Sequence, residues 1–166
     1  MYRGLLVTFA LFLAGCSSSP APMSADNVER NAEVRIDHKR HETQIEGPWL
    51  WSKDKAKSSL VCLLREGAPP LYYLHHAGLS EQWNDFRSAT DSADRPLEFV
   101  RNFFGSDGTG KLENVSVRLS RELLEQSEPS GLLVHLHGSK RSLDVEVPGT
   151  YVAGFLRRVD TVASSH

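Results

Sequence analysis

The sequence predicts an α+β fold: a mostly antiparallel sheet in meander order with two short helices, the second at the C-terminus, and a β-sandwich as the competing arrangement. Three observations point there. Short segments with apolar residues at alternate positions recur between turn residues, as half-buried strands require. Leu132, Val134 and Leu136 and, past a turn near Gly138, Leu143, Val145 and Val147 make the clearest hairpin, apolar on one face and polar on the other. Tyr151, Val152, Phe155, Leu156 and Val159 place one apolar stripe on a closing helix.

Val34 and Ile36 begin a period of two that continues toward Gln44 and Ile45 and stops at Gly47 and Pro48, which reads as one long, partly exposed first strand. Ser59 to Arg65 is a continuous apolar run. After the Gly67 to Pro70 turn, Leu71 to His75 follows closely enough for a hairpin, so these two strands are expected at the sheet centre. Trp83 to Thr90 and Leu97 to Phe104 are strand candidates flanking a polar turn with Asp91, Asp94 and Pro96. Val115, Val117 and Leu119 alternate after the glycine-rich stretch near Gly108. Ser120 caps a short helix to about Gln126, its hydroxyl accepting a first-turn amide proton, and Glu122 suits the positive helix end. Pro148 opens the last helix, with Arg157 and Arg158 near its negative end and the apolar stripe covering one sheet face.

The front of the chain has a different character. Arg3, the apolar run Leu5 to Leu13, and the small residues Ala14 and Gly15 read as a secretory signal. The run is about half of the roughly 20 apolar residues that a helix needs to cross a bilayer. Leu13, Ala14, Gly15 and Cys16, placed directly after that run, resemble the lipobox of bacterial lipoproteins. The resemblance implies a cut between Gly15 and Cys16, a diacylglyceryl group on the Cys16 sulfur and a further acyl chain on the new amino terminus. Ser17, rather than an aspartate, after the cysteine implies an outer-membrane location facing the periplasm. Each buried methylene contributes about 0.8 kcal/mol, so two or three chains make a durable tether. No cofactor beyond this covalent lipid is expected. Residues 1–15 are then a signal peptide, 16–31 a lipidated and flexible stalk rich in Ser, Pro and Ala, 32–162 a single globular domain, and 163–166 a tail.

Nineteen basic and 21 acidic residues are interspersed for a net charge of −2, leaving no basic stripe to neutralise phosphates and arguing against nucleic acid as a partner. Cys62, among Leu60, Val61, Leu63 and Leu64, reads as a buried free thiol; with Cys16 acylated no internal disulfide can form.

Seven histidines make a metal site worth weighing. His135 and His137 share the polar face of the last hairpin, and Asp144 and Glu146 occupy the facing strand on the same side, so two imidazoles and two carboxylates form the best ligand cluster available. No zinc or iron spacing motif matches, which favours ordinary cross-strand pairs on a solvated face. His38 and His41, three apart, and the adjacent His75 and His76 diverge if they lie on strands. Gly105 to Lys111 fits a phosphate loop until Leu112 stands where Ser or Thr should bind magnesium, and a strand rather than a helix follows; it reads as a hairpin loop. The same stretch lacks the first and last acids of a calcium loop, having Gly105 and Ser116 there. No Gly-x-Ser-x-Gly elbow or Ser-x-x-Lys box marks a nucleophile. Trp49, Trp51, Tyr72 and Tyr73, close to apolar runs, are expected in the core, with a ligand groove or a membrane or glycan contact as the alternative. The chain thus reads as a membrane-anchored, non-catalytic envelope lipoprotein whose periplasmic domain binds a partner protein or ligand; the alternative is an envelope hydrolase or metal-binding protein using the His135/His137 face.

Overall fold

The computed structural model describes residues 23–52, 56–106 and 110–165. The fold is α+β with antiparallel sheets and its last helix at the C-terminus. A helix α1 (Ala25–Asn31) precedes the hairpin β1 (Glu33–Asp37) and β2 (Glu42–Glu46). The short β3 (Leu50–Trp51) leads to the long pair β4 (Lys57–Arg65) and β5 (Leu71–Ser80). Then come β6 (Phe86–Asp91), β7 (Pro96–Leu97), β8 (Phe99–Ser106), β9 (Lys111–Leu119), α2 (Arg121–Ser127), β10 (Leu132–Gly138), β11 (Ser142–Val147) and α3 (Gly149–Ala163).

The strands divide between two sheets, so the meander is interrupted. Seven strands form the larger sheet in the order β1-β2-β4-β5-β9-β8, with β3 pairing the start of β4; the smaller runs β11-β10-β6-β7. The chain crosses from one sheet to the other at Glu98, which alone separates β7 from β8, and Leu97 and Phe99 on its two sides both pack on the shared core. Glu113 fixes a second corner. Its fully buried carboxylate accepts the amides of Asn84 at 2.7 Å, Asp85 at 2.8 Å and Phe86 at 3.4 Å, tying the entry of β6 to β9.

Two expectations need correction. The single long first strand is a hairpin, because Asp37 Oδ1 accepts the amides of Lys39 (3.0 Å) and Arg40 (3.2 Å) and His41 takes a left-handed φ of 49°, turning the chain. His38 and His41 therefore sit in a turn, not on a strand. Residues 23–31, expected in the stalk, enter the folded body: Ser24 caps α1 by accepting from Asn27 N at 3.3 Å, and Val28 is buried. The close crossing of α1 over α3 depends on Gly154, where an added Cβ would collide with the Ala25 carbonyl oxygen. A third helix thus joins the two expected. From this segment and its exit Val28 and Ala32 are buried in the core and Met23 packs partly against it, too few and too widely spaced to make an apolar period.

Helix α3 covers the larger sheet. It buries Tyr151, Val152, Phe155, Leu156 and Val159, the stripe read from the sequence, and Tyr151 Oη donates to the Pro48 carbonyl at 2.7 Å and accepts from Leu60 N at 3.4 Å. The other expected cap also forms, Ser120 Oγ accepting from Leu123 N at 3.1 Å. Along β4, β5 and β9 the registers Leu60–Leu74–Val117 and Cys62–Tyr72–Leu119 face this closed side.

Candidate functional site

Strand alternation puts a second set of residues on the opposite, open face of the larger sheet. Register aligns them in rows. Glu46, Val61, Tyr73 and Arg118 form one, and Ser59, His75, Ser116 and Val100 the next. A third row runs Trp51, Lys57, Ala77, Asn114 and Phe103 across five strands, and Leu79, Leu112 and Gly105 lie beyond it at the sheet end.

The middle of this face is polar and half-buried. Ser59 Oγ, fully buried, donates to Glu46 Oε1 at 3.1 Å, while Gln44 Nε2 reaches Glu46 Oε2 at 3.5 Å and Arg35 lies 3.8 Å from the same oxygen. A register shift between Arg101 and Phe103 makes room for Asn102, whose amide donates to Ser116 Oγ at 2.5 Å and Asn114 Oδ1 at 3.3 Å. His75 stands between Ser59 and Ser116. Burial pushes its pKa down and the Glu46 charge draws it part of the way back. A shallow cavity of about 290 Å³ opens here, lined by Gln44, Val61, Tyr73, His75, Val100 and Asn102 among others.

The end of the face is apolar. Trp51 is 70% exposed, Phe103 55%, Leu79 40% and Leu112 37%. The Phe103 ring lies against Gly105, where an added Cβ would come within 2.6 Å of it. Lys57 Nζ sits 4.3 Å from the Trp49 ring centroid and 5.9 Å from that of Trp51.

No family model matches this chain, and none of the curated proteins or solved structures is significantly similar to it. What the site can do is therefore read from its own chemistry. The open face offers carboxylates, an imidazole and hydroxyl and amide groups in and around a shallow concavity, beside an apolar shelf with a lysine. Such a surface can hydrogen-bond and stack.

The residues singled out in sequence fall in several places. Cys16 and the cut after Gly15 lie outside the described residues. His135 and Asp144 are register partners in β10 and β11, with Nδ1 2.7 Å from Oδ1. His137 Nε2 instead contacts Thr90 Oγ1 of β6 at 3.0 Å, and Glu146 stands opposite Leu133. The two rings are 6.4 Å apart, but among the described residues no group of three His, Cys, Asp or Glu is placed to hold a metal ion. His75 and His76 occupy opposite faces. His76, buried in the core side, has Nδ1 3.0 Å from Ser58 Oγ. Cys62 is fully buried, and loss of solvent pushes its thiol up to about 12, which keeps it protonated. Tyr72 is core, as expected; Trp51 is not, because the two-residue β3 pairs only with the start of β4 and leaves the indole 70% exposed. Sequence reasoning missed the Glu46–Ser59–His75–Ser116–Asn102 cluster. Its signal was Ser59 and Ser116 standing within strand runs, but only the pairing register brings them to one row.

Proposed function

We propose that this chain is a lipid-anchored envelope protein that works by binding, with the polar centre of the open sheet face around His75 as the seat for a partner protein or ligand. One observation carries the reading: among the described residues no element layers over the open face of the larger sheet, and at its centre a cavity is lined by the half-buried His75 and the exposed Asn102, with the buried carboxylate of Glu46 beside it. Polar groups brought that far out of water are costly unless something satisfies them, and here part of their capacity faces outward. The lipobox resemblance at Cys16 supplies the anchor. The open face is preferred to the His135/His137 face because each of those imidazoles already has a partner within its own sheet. Ser58 and His76, the one serine–histidine contact the described residues make in the core, are both buried and out of substrate reach.

The test uses intact cells. A photo-crosslinking residue at Tyr73 should yield one dominant adduct that the same residue at Glu146, on the smaller sheet, does not. Labelled palmitate should enter the chain and be lost in Cys16→Ser. Equal adducts from both positions would remove the open face as the seat, and no palmitate uptake would remove the lipid anchor.

A further inference from the structure

The anchor and the apolar shelf meet at one end of the molecule. Helix α3 begins there: Tyr151 bonds to Pro48 and to Leu60 in the first half of β4, and its neighbour Thr150 donates from Oγ1 to the Met23 carbonyl at 2.9 Å. The other end of α3, at Ala163, lies with Leu64 and Pro70 beside the β4–β5 turn. Met23 is therefore at the end of the sheet where β4 starts, and that is where Lys57 pairs with Trp51 and Ala77. Six residues, and so seven Cα-to-Cα steps, separate Cys16 from Met23, a reach of at most about 24 Å. Acyl chains on Cys16 would keep this end within about 24 Å of the bilayer.

Resting on the lipid anchor of the preceding reading, we propose that Trp51, Phe103, Leu79 and Leu112, with Lys57, seat the domain directly on the lipid surface. The residue types suit that occupant. An indole settles at headgroup depth, exposed Phe and Leu enter the acyl boundary, and an ammonium on a long stem reaches lipid phosphates. Lys111, next to Leu112 and 5.6 Å from the Trp83 ring centroid, adds a second cation at the same end. So small a patch binds bilayers weakly alone, but the short tether raises its local concentration and makes docking intramolecular. Seating the shelf also positions the binding centre. The Ser59–His75–Ser116 row lies two residues, about 7 Å along the strands, from the Lys57–Ala77–Asn114 row.

The experiment reads the depth of Trp51 and the state of Cys16 separately. The full chain is reconstituted in phosphatidylethanolamine–phosphatidylglycerol vesicles whose lipids carry bromines near the headgroup, and its tryptophan emission is compared with that of Trp51→Phe. Mass spectrometry of the same sample reports acylation. Should acyl chains be missing, the anchor reading fails, and the chain is tethered through the Cys16 thiol to a maleimide lipid, the buried Cys62 not competing, so that docking is still measured. We expect bromine quenching to fall at least about two-fold in Trp51→Phe and again in the doubly altered Leu79→Asp/Phe103→Asp chain. Both changes fall on exposed side chains, so the fold should survive. Quenching unaltered by these substitutions in a tethered chain would overturn the proposal. So would an unquenched Trp51 in a chain that runs as a dimer, which would make the shelf a protein contact.

Discussion

His75 and His76 are neighbours in β5 and stand on opposite faces of one sheet. His76, 3% exposed, meets Ser58 Oγ at 3.0 Å and lies edge-on to Phe86, and burial alone pushes its pKa down to about 4. His75 is only half-buried and has the Glu46 charge nearby to offset the same loss of solvent. The closed face admits few polar groups, and each is satisfied within the fold, His76 by Ser58 and the Glu113 carboxylate by three backbone amides. On the open face they gather in a row with a charge among them. Packing decides the first arrangement, whereas the second gains little from packing and is what a binding surface requires.

The largest expected effect tests the packing side of that contrast. Phe155→Ala, in the fully buried stripe of α3, should cost about 3–5 kcal/mol through lost transfer energy and the cavity left behind. Trp51→Ala, on the exposed end of the open face, should stay within about 0.5 kcal/mol. Urea unfolding midpoints measure both. A Trp51 loss comparable to that of Phe155 would mean that the open face is packed by something, and the distinction between the faces would fail.

The parts of the fold readable from sequence are those where local signals agree with the final packing. The β10–β11 hairpin, the Ser120 cap and the α3 stripe each follow from a period or a single side chain, and all three form. The β4–β5 pair at the sheet centre follows from apolar continuity across a Gly-Pro turn. The rest depends on distant contacts. The switch of sheets at Glu98 is decided by where Leu97 and Phe99 find the core, and α1 forms because Gly154 leaves room for it. The candidate site was hidden for the same reason: its residues come from β2, β4, β5, β8 and β9, and only the register aligns them. His135 and Asp144 were legible because a hairpin's register is local.

A smaller effect separates the two histidines by pH. The unfolded chain takes a proton on His76 near 6.5, but the folded one only near 4, so acid favours unfolding between those values. The stability that neutral, buried His76 contributes is whole above pH 6.5 and is lost as pH falls toward about 4. The difference amounts to roughly 3 kcal/mol at 1.36 kcal/mol for each pH unit. His76→Gln should flatten the stability curve in that window, whereas His75→Gln should flatten it less because Glu46 already opposes the downward shift of His75. Stability curves from pH 7 to pH 4 distinguish these outcomes; equal flattening would mean that the two faces desolvate their histidines alike.

The smallest effect isolates the charge on the open face. Glu46→Gln keeps the size of the side chain and an acceptor for Ser59 Oγ, so the cost in stability should be about 1 kcal/mol, the difference between a charged and a neutral acceptor. The imidazole of His75 loses the negative charge that draws its pKa upward, so its titration midpoint should fall, while that of His76, shifted by burial alone, should stay in place. Histidine ring proton shifts followed by NMR resolve both in one titration. A His75 midpoint that did not move would detach Glu46 from it electrostatically and leave the row on the open face as separate surface groups. A His76 midpoint that moved equally would show the Glu46 charge reaching the closed face through the low-dielectric sheet, and the two faces would not be electrostatically separate.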